Sequence, residues 1–307
     1  MIRLARTPAY SAAGLTNRQL PKGLMPTTMG AAALIFMLLP ACRSVSSRDR
    51  SILTELVRIR KTGQPLRLFK SRGENLSIAD AYRIQNLLVH KLKTNGESVA
   101  GYKVAFTSKP AQEAFQVTEP AYGRLFESMA IQNGAEVMLN DFIVPFVEVE
   151  VAFIIGRRID RAITNIDEVK QHVRSVHAAF DIPNNRFDPN QGRPTVVDIV
   201  MDNAGAHRFV LGKPFDPAEV DVEKVVARLI VNGKEISKVP AAVAMGSPWN
   251  VLKWLANSLI ERGFALEAGD VVLTGALGKP YRVAGQIARV SFVGDCGRLG
   301  KVSCEMK

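Results

Sequence analysis

The sequence predicts an α+β fold, with a helical N-terminal portion leading into a strand-dominated domain. Three observations carry this. Segments with helical spacing of apolar residues crowd between residues 51 and 93. From Val99 onward the apolar residues come in short runs punctuated by Gly, Pro and Asn. No G-x-G-x-x-G follows a strand and no P-loop is present, which removes the nucleotide-binding α/β classes. The 307 residues suffice for one or two domains with a substantial core, and 47% hydrophobic against 22% charged residues is a globular composition.

The net charge is +11, and Arg3, Arg6, Arg18 and Lys22 lie in a leader without Asp or Glu. The remaining basic residues are scattered rather than gathered in a stripe, so no nucleic-acid partner is expected. Behind the basic segment come MGAAALIFMLLPA (residues 29–41), Cys42 and the polar RSVSSRDR. This apolar run is shorter than the roughly 20 residues of a membrane span and suits the h-region of a signal peptide. LPAC resembles the lipobox of bacterial lipoproteins. The expectation is a lipoprotein-type signal peptide over residues 1–41, cleaved before Cys42, and lipidation of that cysteine. The product would be exported to the periplasm or held at a membrane by the lipid. A cytoplasmic protein with a mis-assigned start is the alternative.

Residues 42–98 form the N-terminal helical region: SILTELVRIRK, a break containing Gly and Pro, then SIADAYRIQNLLVHKLK. Ser77 is the expected N-cap with Asp80 three residues on, and Tyr82, Leu87 and Leu88 make an apolar face. Strand-like segments follow at VAGYKVAF, YGRLF, AEVMLN and PFVEVEVAFIIG (145–156). The spacing in NIDEVKQHVRSVHAA predicts a helix over 165–179, broken by FDIPNNRFD. Further on, FVLG, VARLIVNGKEI with a turn at Asn232-Gly233, and VVLTG read as strands. PWNVLKWLANSLIER (248–262) reads as a helix stopped by Gly263, with Met245, Trp249 and Trp254 in the core. If GRLG turns the C-terminal hairpin, Cys296 and Cys304 are not cross-strand partners, and a disulfide is not required.

Within the strand at 145–156, alternation points Glu148 and Glu150 to one face. Two like charges in an apolar run are costly without a compensating cation. Asp181, at what reads as the end of the following helix, projects where a pocket would lie. Three carboxylates suit a hard divalent ion, Mg²⁺ or Mn²⁺, better than zinc, because no two histidines share a suitable spacing. His90 and His172 lean toward solvent, while His177 and His207 read as packed or hydrogen-bonded.

GYKVAFTSK, YGRLF, VEVEVAFIIG, AAFDIPNNRF, DIVMDNAGAHRFVLG, MGSPWNVLKWLANSL and LEAGDVVLTGAL together are similar to the 2-keto-4-pentenoate hydratase family. Its relatives include the 2-oxohept-3-enedioate hydratases and 4-oxalocrotonate decarboxylases, within the fumarylacetoacetate hydrolase superfamily. The resemblance runs over about residues 75–307. It implies a fumarylacetoacetase-type mixed β-roll or sandwich with flanking helices, residues 99–307 as the catalytic domain, and a homo-oligomer. It places the metal ligands at Glu148, Glu150 and Asp181, the active-site lysine at Lys103, and substrate-facing donors at Thr274 and Gly275. The expected activity is metal-dependent hydration of a short 2-hydroxy-dienoate or 2-oxo-alkenoate, such as 2-hydroxypenta-2,4-dienoate. An exported 2-oxo-acid-binding lipoprotein without turnover, a decarboxylase, and an acylpyruvate C–C hydrolase are the alternatives. The sequence departs from the hydratase pattern at Ala121, where Asp is common, at Glu127-Ser128, at Asn184-Asn185-Arg186, and in having Asp rather than Glu at 181.

Overall fold

Ser46 and Ser77 open two N-terminal helices, α1 (Ser47–Thr62) and α2 (Ile78–Thr94). At α2 the side chain of Ser77 accepts from the Asp80 amide, and the Asp80 carboxylate accepts from the Ser77 amide, so the expected capping box is complete. The computed structural model describes residues 45–285 and 289–307. The leader and Cys42 lie outside these residues, and so do the expectations about cleavage and lipidation.

In chain order the remaining helices are α3 (Lys109–Phe115), α4 (Ile166–Lys170), α5 (Val196–Met201) and α6 (Pro248–Glu261). The strands are β1 (Val99–Ala105), β2 (Ala121–Phe126), β3 (Ala130–Ile131), β4 (Glu136–Val137), β5 (Phe146–Ile155), β6 (Val173–Ile182), β7 (Arg208–Leu211), β8 (Val226–Val231), β9 (Lys234–Pro240), β10 (Val271–Leu273), β11 (Tyr281–Arg282), β12 (Val290–Asp295) and β13 (Lys301–Met306). They form two sheets. The larger has the order β2-β1-β10-β5-β6-β7-β3, with β11 added alongside β5, and the smaller has the order β4-β13-β12-β8-β9. Parallel and antiparallel pairs are mixed, as the fold class requires.

The core lies between the sheets. Val149, Val151, Phe153 and Phe180 of the larger sheet meet Phe292 and Val302 of the smaller, and all are buried. Helix α6 covers the same side, stacking Trp249 on Phe153 with ring centroids 4.5 Å apart. Met245 and Trp254 are partly buried against this core, as expected. Burial of this much apolar surface on one side of the larger sheet is what holds it in place. The opposite side is left for the polar site.

The helix expected over 165–179 is a correction: only α4 is helical, and the rest is the strand β6. β6 is a central strand buried on both faces, with only Arg174 exposed, so it lacks the polar-apolar alternation of a half-buried strand. Val169, Val173 and Val176 then imitate helical spacing. Other local signals hold. Asn232 and Gly233 both adopt positive φ, 48° and 77°, in the turn between β8 and β9. Cys304 pairs with Phe292 rather than with Cys296, and both thiols are free and buried.

Gly101 in β1 has φ 144°, and a Cβ there would lie 2.0 Å from the carbonyl oxygen of Val271. Gly101→Ala must therefore part β1 from β10 and is expected to cost at least about 3 kcal/mol, read by urea denaturation. Gly63→Ala, at φ 65° with nothing within 4 Å, carries only the left-handed backbone penalty of about 1–2 kcal/mol.

Candidate metal centre

β5 and β6 run antiparallel in a register that sets Glu148 opposite Asp181 and Glu150 opposite Ala179. Residues in register share a face, so all three carboxylates leave the sheet on the side away from the core. One oxygen from each lies within 4.8 Å of the others. β1 reaches the same patch through β10: Lys103 pairs with Leu273, and Leu273 pairs with Ala152 beside Glu150. The Lys103 ammonium forms an ion pair with Asp181 Oδ2. The site thus comes from neighbouring strands of one sheet, not from a strand and a helix end as the sequence suggested.

Burial is uneven. Glu150 and Asp181 are 0% exposed and Lys103 is 3% exposed, whereas Glu148 is only half-buried, so solvent meets the site on the Glu148 side. Beyond Glu150 the same face is apolar, with Ala152, Leu273, Ala179 and Leu125 buried together. Glu150 Oε2 accepts from the amide of Gly275 at 2.7 Å, while its Oε1 and Asp181 Oδ1 have no hydrogen-bond partner among the described residues. Orphaned buried carboxylate oxygens are rare because their desolvation is uncompensated.

The electrostatics follow from this packing. Burial, then the nearby Asp181 charge, pushes Glu148 up to about 7 against an ordinary 4.5. Glu150 is raised well above its ordinary range by burial and then by Asp181 and Glu148. Asp181 is raised by burial, with Lys103 opposing. Burial alone would lower Lys103, but the charges of Asp181 and Glu148 outweigh it and the ammonium is held. Three carboxylates against one ammonium leave two negative charges. An all-oxygen donor set with that surplus fits a hard divalent cation, and the residues that would hold it are Glu148, Glu150 and Asp181.

The other expected site residues are placed as follows. The Thr274 hydroxyl is fully buried and donates to the Val151 carbonyl, and the Gly275 amide is engaged by Glu150, so both donors brace the site from within the protein. Ala121 pairs with Ala105 and lies on the Lys103 face, where its methyl leaves no proton to transfer. Asn184 Oδ1 accepts from the amides of Ile143 and Val144, ordering the entry to β5. Arg186 bonds Asp202, which also takes Arg60 of α1 at 2.7 Å. Ser128 bonds Glu97. His177 is a strand residue, bonded through Nδ1 to the Gly212 carbonyl and through Nε2 to Ser175. A cleft of about 1150 Å³ lies away from the carboxylates, lined by Val89, Val99, Phe209, Val271 and their neighbours.

The described fold and site can be set beside known proteins. A model of the fumarylacetoacetate (FAA) hydrolase C-terminal family matches residues 92–303. The chain belongs to the fumarylacetoacetate hydrolase family. Among relatives within it, 2-oxo-hept-4-ene-1,7-dioate hydratase of Escherichia coli is 30% identical over 82% of this chain and 96% of its own length. A 2-keto-4-pentenoate hydratase of Burkholderia vietnamiensis is 33% identical over 76% of this chain and 89% of its own. Among solved structures, 4-oxalocrotonate decarboxylase from Pseudomonas putida G7, complexed with magnesium and adipate, superposes with a TM-score of 0.79 at 21% identity. It covers 85% of this chain and 97% of that one. The fumarylacetoacetase-type fold expected from the sequence is the one observed.

Metal uptake requires deprotonated ligands. Mn²⁺ binding is expected to tighten as pH rises from about 6 to 8 and to release protons, more at the lower pH, in calorimetry with buffers of different ionisation enthalpy. Without metal the sign reverses. Because Glu148 rises from 4.5 to about 7 on folding, it favours the folded state fully below pH 4.5 and loses that contribution as pH climbs through 7. The melting temperature of chelator-treated protein should fall over that window, and added Mn²⁺ should restore it.

Proposed function

We propose that the protein is a divalent-metal-dependent hydro-lyase that hydrates a short 2-hydroxy-dienoate or 2-oxo-alkenoate, with Mg²⁺ or Mn²⁺ as the ion. The observation that carries the reading is the convergence of Glu148, Glu150 and Asp181, with Lys103 paired to Asp181, on one buried sheet face. Relatives named as hydratases give the reaction class. The magnesium and manganese complexes of structural neighbours agree with the donor set.

When bound, the ion would supply Lewis acidity to the 1-carboxylate and 2-oxygen of such an acid, favouring its enolate. The residues of the chain do the rest. Lys103 keeps its proton, so it serves as a fixed positive charge and hydrogen-bond donor rather than a base. The Gly275 amide fixes one oxygen of Glu150 and leaves the other directed at the site. The apolar layer of Ala152, Leu273 and Ala179 closes the inner end, which confines water to the Glu148 side. With Ala121 in the place of an acid, proton transfer at the distal carbon falls to water.

Purified protein with Mg²⁺ and 2-hydroxypenta-2,4-dienoate should consume the dienol absorbance faster than uncatalysed ketonisation. No excess rate would reject this substrate. Glu150→Gln should lose at least about 100-fold in metal affinity, the upper range for disturbing a metal site's supporting shell. Retained metal-dependent binding of 2-oxo acids by wild type with no product in NMR would instead favour the binding-protein reading that Ala121 suggests.

The export reading is a proposal on the leader alone. Labelling cells with a lipid precursor should mark the wild type and not Cys42→Ala, and labelling of both or neither would refute lipidation.

A further inference from the structure

We infer that Arg282 reads a second carboxylate on the substrate, making the preferred ligand a short 2-oxo dicarboxylate; this rests on the hydratase reading above. Solvent reaches the buried carboxylates from the Glu148 side, because Glu150, Asp181 and Lys103 are almost wholly enclosed. The tail of any acid held at the inner carboxylates must therefore leave past Glu148, toward the start of β5.

β11 borders that exit. It pairs antiparallel with β5, setting Tyr281 opposite Val147 and Arg282 opposite Phe146. The Tyr281 ring packs edge-on to Phe292 at 5.6 Å, on the core side of the sheet. Strand alternation then sends Arg282 to the other side, the one shared by Phe146, Glu148 and Glu150. From strand spacings, the Cα of Arg282 lies about 8 Å from that of Glu148, a gap that a short carbon chain and an extended arginine can share.

The surroundings suit a carboxylate. Arg282 is exposed and has no ion pair or side-chain hydrogen bond among the described residues, whereas Arg208, Arg228 and Arg289 are each matched to an acid. A cleft of about 270 Å³ beside it is walled by Phe142, Val144, Pro145 and Val283. An unpaired guanidinium lining such a cleft can take a planar anion with two parallel hydrogen bonds. Asp141, in the stretch before β5, is already occupied by Arg208 at 3.5 Å. The other cation of the β10–β11 connection, Lys279, is exposed and serves as the internal comparison.

The test is calorimetry on Mn²⁺-loaded full-length protein with 2-oxoadipate and 2-oxohexanoate, equal in carbon count and differing in the distal carboxylate. Wild type should prefer the diacid by about 10-fold or more, the scale of a charge-assisted bidentate contact. Arg282→Ala should remove that preference, Arg282→Lys should keep part of it, and Lys279→Ala should leave it intact. Equal affinity of wild type for the two acids, or a preference surviving in Arg282→Ala, overturns the inference. Absence of metal-dependent binding of either acid overturns the hydratase reading as well. The two failures are told apart by the monoacid, whose binding depends on the inner carboxylates and not on Arg282.

Discussion

Three carboxylates and one ammonium share a sheet face from which water is largely removed, and this imbalance sets the terms for the structure around it. Lys103 answers Asp181, and the amide of Gly275 answers one oxygen of Glu150. What is left over is two negative charges, which the protein can tolerate only as bound protons or as ligands to a cation. Both sheets, α6 and the aromatic stack of Trp249 on Phe153 serve this arrangement by packing the reverse side of the same strands so firmly that the acids cannot turn away. Stability is therefore concentrated on one face and stored charge on the other.

Much of this was legible in the chain, and what was hidden was hidden for physical reasons. Glu148 and Glu150 announced themselves because a two-residue period is the strand's own, so polar residues inside an apolar run must share a side. The capping box of α2 and the Asn232-Gly233 turn were visible because each is decided within four residues. β6 was obscured by being buried on both faces, which erased the period that identifies a strand and left Val169, Val173 and Val176 to suggest a helix. The pairing of Asp181 with Glu148 is a non-local register, and no local pattern encodes which residue of one strand meets which of another. Family resemblance supplied that link where periodicity could not. Gly275 was expected from the resemblance to face the substrate; that its amide is spent on Glu150 had no local signal, since every residue but proline carries one.

The departures from the hydratase pattern divide by location. Asn184 and Arg186 have taken up scaffolding, one ordering the entry to β5 and the other joining Asp202 and Arg60 so that α1 is tied to the loop beyond β6. Ala121 is different, because it lies on the face of Lys103 and removes a proton carrier without adding a contact. The chemistry left to this chain leans on electrostatics and enclosure more than on a relay of acids. The free guanidinium at the exit adds a means of choosing among acids at the outer end, away from the reacting atoms.

The register between β5 and β6 has one more consequence. In paired strands a slip of β5 by a single residue exchanges its two sides, so it would drive Glu148 and Glu150 into the space of Phe292 and expose Val149 and Val151 where the acids had been. A slip of one residue therefore cannot misplace the acids and keep the oily layer intact. Molecules that escape aggregation during synthesis are thus already sorted against this one error.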